Sequence, residues 1–179
     1  SFVDKGPILW TGVWSNLPPL VDWINAHRLP AELCVLTNLT GHDSVPARTY
    51  GFRNESAVRI ENWTPERHRE RLTESRAAID LKGHDFRARH KPSSKAIDAI
   101  ASGVPLAMNT DSSSTAYLQT LGFDVVAPDD TERWLSRTYW EQTRALGAQL
   151  RDRMSLAAVA DRMAQILNDV IQTREARCA

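Results

Sequence analysis

Three shortages bound what this 179-residue chain can be. It has two cysteines, Cys34 inside an apolar run and Cys178 next to the last residue. These are too few and too far apart for a disulfide framework, and they fit a reducing, cytoplasmic setting better than a secreted one. It has no charge excess: 22 Lys and Arg cancel 22 Asp and Glu. No broad field remains to hold a polyanion, which sets nucleic acid aside as a partner. It also has no apolar run near the about 20 residues of a membrane span, and its opening, SFVDKGPILW, lacks the basic segment and apolar core of a secretion signal. Repeats and low-complexity segments are missing too. What remains is an ordinary globular composition and length enough for one domain, at about 150 residues each, that buries about 70% of its extended surface.

Several chemistries lack their signatures. There is no G-x-S-x-G elbow, so a Ser/His/Asp triad has no anchor. His84, Asp85 and His90 form H-D-x4-H, which is not a zinc spacing and has no third ligand, so no metal site is expected. The N-x-S/T triplets at Asn38, Asn54 and Asn62 are too loose a pattern to imply glycosylation.

Short β-rich runs alternate with helix-period segments, the pattern of a parallel sheet covered on both faces. Strands are predicted at 8–13, 33–38, 58–61, 77–81, from 105, and at 124–127. Pro18 and Pro19 open a first helix, Thr64 caps a second, and Ser93 or Ser94 caps a third that Gly103 ends. Ser112 to Ser114 cap a fourth, and the chain is helical from Thr131, with restarts at the Thr138/Glu141 box and at Ser155. The stretch 40–56 reads as a loop or irregular hairpin. The expected fold is α/β: a Rossmann-like parallel sheet of about six strands with helices on both faces (1–130) and a helical C-terminal tail packing on the same domain (131–179). In such sheets ligands bind beyond the strands' carboxyl ends, where strand order reverses.

The sharpest constellation is Lys91 and Lys95 with Ser93 and Ser94 between them at a helix mouth, followed by Asp98. Unpaired helix N–H groups and two ammoniums make a site for a diphosphate, and Asp98 can accept from a ribose diol. The plainer reading is a solvated i,i+3 pair of Lys95 and Asp98. Gly12, after the first strand, lets backbone approach a ligand, or simply makes a turn. Ser112 and Ser113 form a second anion-binding mouth, or only a cap. Trp63, after the third strand, walls a base pocket, or packs in the interior as most of the six tryptophans do.

The string KPSSKAIDAIASGVPLAMN (91–109) resembles the donor-binding motif of group 1, GT-B-type glycosyltransferases: Lys, small residues, a second Lys, then Glu-(Ala/Tyr)-Met-Ala-x-Gly-x-Pro-Val-Val. The likeness runs back to ILWTG (8–12) and forward to MSLAAVADRMAQIL (154–167), similar to the family's C-terminal ending. It covers nearly the whole chain, as the C-terminal, donor-binding half of a two-domain enzyme. The resemblance implies that Lys95 faces the donor phosphates and Asp98 the ribose, and these two are the candidate catalytic residues. Gly12, Trp63, His90, Lys91, Ser93, Ser94, Ser112 and Ser113 complete the candidate donor site. His90 stands where many members carry the first glutamate of an E-x7-E pair, Asp98 replaces the second, and TGVWSNLPP (11–19) lacks the Arg-x4-Lys that often grips the diphosphate.

The function so implied is transfer of a sugar from a nucleoside diphosphate sugar, with retention of configuration. No cofactor or metal is called for, because no D-x-D stands at a strand end and the lysines supply the charge. Strand one begins within ten residues of the start, so the chain is expected to be excised from, or partnered with, a longer protein that holds the missing N-terminal acceptor domain, with Trp134, Tyr139 and Trp140 left partly uncovered without it. Two alternatives stand beside this: a non-catalytic nucleotide-binding or interaction module that keeps the fold, and a nucleotide-sugar epimerase of the same architecture.

Overall fold

The computed structural model describes residues 2–178, with side chains described to residue 174. In chain order the elements are β1 (Ile8–Thr11), α1 (Pro18–Ala26), β2 (Leu33–Thr37), β3 (Ser44–Val45), β4 (Val58–Asn62), α2 (Pro65–Glu74) and β5 (Ala77–Asp80). There follow α3 (Phe86–Arg89), α4 (Ser94–Ala101), β6 (Leu106–Met108), α5 (Ser113–Thr120), α6 (Thr131–Trp134), α7 (Arg137–Arg153) and α8 (Leu156–Cys178). One sheet runs β3-β4-β2-β1-β5-β6. Every pairing is parallel except β3 with β4. This is the expected α/β, Rossmann-like architecture. β2 is buried at each position, as a strand covered on both faces must be, and Leu33 and Cys34 sit in register with Ile8 and Leu9 of β1. Burial, and then the charge of Glu61, push the Cys34 thiol up to about 11, so it packs as an unreactive apolar group. Cys178 has its side chain outside the described residues.

The structure corrects the sequence reading in four places. The stretch 40–56 supplies β3, two residues paired antiparallel at the sheet edge, with Ser44 opposite Glu61. The run 124–127 forms no strand and meets the sheet through a single bridge, Ala107 to Val126. α7 is capped by Ser136, whose Oγ accepts from Tyr139 N at 3.1 Å, and Thr138 lies inside the helix. Trp134, Tyr139 and Trp140 are buried. Tyr139 Oη donates to the Leu106 carbonyl at 2.9 Å, and the Trp140 ring meets Phe2 edge-on at 5.4 Å. The exposed apolar residues of the tail are instead Met154, at the end of α7, and a set on α8 from Leu156 through Met163 to Ile171. Among the described residues no helix is long and apolar enough to cross a membrane.

Candidate functional site

From β1 the chain moves to β2 and β4 on one side, then returns through α2 to β5 on the other. The loops after β1 and β5 therefore part from each other, and a crevice opens at the carboxyl ends of these two neighbouring strands. A cleft of about 640 Å³ lies there, walled by Trp10, Asn16, Asp80, Lys82, Lys91 and Lys95. Its size falls within the range of small-molecule sites.

Each cation is placed by a different device. Lys91 Nζ donates to Asn16 Oδ1 at 2.8 Å, tying the approach to α4 to the loop after β1. Ser113 Oγ donates to the Lys91 carbonyl at 3.0 Å and braces the same segment. Lys82, just past β5, donates from Nζ to Asp80 Oδ2 at 2.8 Å, with both side chains buried, and its N–H donates to Asn109 Oδ1 at 2.6 Å. Lys95, in the first turn of α4, lies 5.0 Å from the centre of the Trp10 ring and forms no ion pair among the described residues. Burial lowers its pKa, the attraction of Asp80 opposes this, and repulsion from Lys82 and Lys91 adds to it. Gly12 explains how the lysine fits. A Cβ there would stand 2.6 Å from Lys95 Nζ and 2.8 Å from the Trp10 ring, so the glycine leaves room for the ammonium over the indole. Ser93 is the N-cap of α4 but makes no side-chain cap bond, so the first-turn N–H groups keep no side-chain acceptor, and Ser94 lines the cleft beside them.

Asp98, one turn further along α4, faces a second, small hollow of about 20 Å³ that also holds Thr11 and His68. Lys95 and Asp80 line both spaces and form the wall between them. Burial lowers the His68 pKa and Asp98 works against that shift. The Trp63 ring, half exposed, lies 6.1 Å from the His68 ring, so Trp63, His68 and Asp98 follow one another along the carboxyl edge. The remaining candidates stand outside the cleft. His90 is exposed, stacks on Phe86 at 3.9 Å, and its Nδ1 donates to the Phe86 carbonyl at 2.7 Å. Ser112 is buried as the cap of α5, its Oγ accepting from Thr115 N at 3.2 Å. Sequence reading passed over Asp80, Lys82, Asn16, Trp10 and His68. Only the first two left a signal, as charges closing the apolar run of a predicted strand.

No family model and no curated protein matches the chain. Among solved structures the chain is similar to AviGT4, described as a glycosyltransferase involved in avilamycin A biosynthesis, with a TM-score of 0.54 and 19% identity. The match covers 84% of this chain and 50% of that one, so this chain spans half the length of its structural neighbour. At that identity the likeness is one of fold.

Proposed function

We propose that the chain is the donor-binding half of a glycosyltransferase that takes a nucleoside diphosphate sugar. The observation that carries this is the convergence of Lys91, Lys95 and the uncapped amino end of α4 on one cleft at the point where strand order reverses. In glycosyl transfer the diphosphate leaves the anomeric carbon and gains negative charge. Ammonium groups and helix N–H groups fixed beforehand stabilise that charge without reorganising at the moment of reaction. Asp98 takes the ribose from the far side of Lys95, and Trp63 lies along the same edge as a stacking surface for the base. The fold likeness to a glycosyltransferase and the resemblance of residues 91–109 support the reading, and the resemblance adds retention of configuration. A non-catalytic binding module is the second reading. It is favoured by the loop after β1, where Gly12 to Leu17 contain no cation.

Thermal shift with uridine, guanosine, adenosine and cytidine diphosphates and their sugars tests the site. A ligand at 100 times its Kd adds about 2.7 kcal/mol to stability. Stabilisation by at least one diphosphate, unchanged by chelator, is expected. No shift with any of them refutes the reading, and binding that chelation weakens more than about tenfold refutes its metal independence.

A further inference from the structure

Asp80 is out of place in a diphosphate site. It ends β5, is 6% exposed, and puts a carboxylate on the wall of the cleft beside Lys82 and Lys95, whereas Asp85, the other carboxylate of the lining, is occupied as the cap of α3. A carboxylate there repels phosphate, and the low dielectric of a buried position strengthens the repulsion. Its surroundings explain why the fold accepts it. Lys82 pairs with it at 2.8 Å, both side chains being buried, and Lys95 feels its attraction through space. Without it, Lys82 would lose the carboxylate it is paired with, beside Lys91, Lys95 and the positive end of α4. Asp80 and Lys95 are also the residues that separate the main cleft from the hollow beside Asp98. A ligand with its ribose on Asp98 and its phosphates at the mouth of α4 has to pass that wall.

We propose that Asp80 is a built-in competitor of the donor: paired with Lys82 and standing with Lys95 in the wall between the two spaces, it offsets their charge, and a diphosphate binds by competing with it as counter-ion. The proposal rests on the diphosphate reading of the cleft and assigns Asp80 a positioning role that sets donor affinity. It gives a sign that a merely structural carboxylate would not. Removing the negative charge tightens binding, whereas damage to a supporting residue weakens it.

The experiment is calorimetric titration of the full chain and its variants with the four nucleoside diphosphates and with inorganic pyrophosphate. Asp80→Asn is expected to bind the preferred diphosphate more tightly, by on the order of tenfold, which corresponds to about 1.4 kcal/mol of relieved repulsion. Because Asp80→Asn leaves a buried ammonium alone and can unfold the chain, the same comparison is made in a second background. Lys82→Met is set against Lys82→Met/Asp80→Asn, where the buried pair is removed as a unit, and the double variant is expected to bind more tightly than the single one. Wild-type binding with no gain in either comparison overturns the proposal alone. No binding by any form overturns the diphosphate reading and the proposal with it.

Discussion

Lys95 is half buried against Trp10, without an ion-pair partner among the described residues, at a helix mouth that has no side-chain cap. An ammonium so placed has lost part of its hydration and gains most from an anion that enters the cleft. Lys95→Ala is therefore expected to weaken nucleoside diphosphate binding by about 1–3 kcal/mol, read by calorimetry. Unchanged affinity would remove Lys95 from the site. His68 tests the same edge through pH. Burial sets its folded pKa below the ordinary 6.5, although Asp98 pulls the other way. The unfolded chain then binds the proton first as pH falls, so stability present above pH 6.5 is lost as pH drops through that value toward the lowered one. His68→Asn should lose less stability than wild type between about pH 7.5 and 5.5 in urea melts. Equal losses would mean that the imidazole is solvated. At this scale the sequence was readable where partners are close along the chain, as with Lys91, Ser94 and Lys95. It was silent where they are distant: Asn16 and Lys91 meet across 75 positions, and the hold of Gly12 on Lys95 depends on Trp10 packing that no local spacing reports.

Among the elements, α4 carries the site and α7 fixes α4. A Cβ at Gly147 of α7 would fall on the Ile100 carbonyl oxygen and lie 3.2 Å from its carbon. Those atoms are backbone, so one helix has to move. Gly147→Ala is expected to destabilise the protein by about 1–3 kcal/mol, and, by shifting the helix that bears Lys95, to weaken diphosphate binding at a distance. A denaturant midpoint and a binding isotherm both equal to wild type would show that the contact is slack. Strands β1, β2 and β5 were legible because each is a nearly uninterrupted buried apolar run between turn residues, and β4 because Val58 and Ile60 alternate with Arg59 and Glu61. β3 was not, since Ser44 and Val45 owe their pairing to β4 and to the nearby bond from Asn62 N to the Asp43 carbonyl at 2.7 Å. Residues 124–127 looked like a strand, yet Met108 N to the Val126 carbonyl at 3.1 Å is where the chain touches β6, and Pro128 follows at once. The start of α7 was read at the Thr138/Glu141 box, two residues beyond the Ser136 cap. Burial of Tyr139 and Trp140 chose the register, and a capping pattern alone cannot see that.

For the whole molecule, the proposed donor site would serve only one half of a transfer reaction. Transfer requires an acceptor held in near-attack geometry with water excluded, and binding a donor does neither. The chain spans half the length of its glycosyltransferase neighbour in structure. The tail carries an uncovered apolar stripe. Leu156, Val159, Met163, Ile166 and Val170 recur at alternating steps of three and four along α8 and are all exposed. That stripe is the face a helix normally buries against another element. Trp134, Tyr139 and Trp140, expected to be left uncovered, are instead buried. From these observations the 179-residue chain is expected to bind a nucleoside diphosphate sugar and to transfer no sugar by itself. In this proposal Lys91, Lys95 and Asp98 all serve the donor. A panel of sugar nucleotides with saccharide and lipid acceptors, run beside a binding titration on the same preparation, decides the matter. Binding without product supports the division of labour, and turnover by the chain alone would show that the acceptor site lies within it.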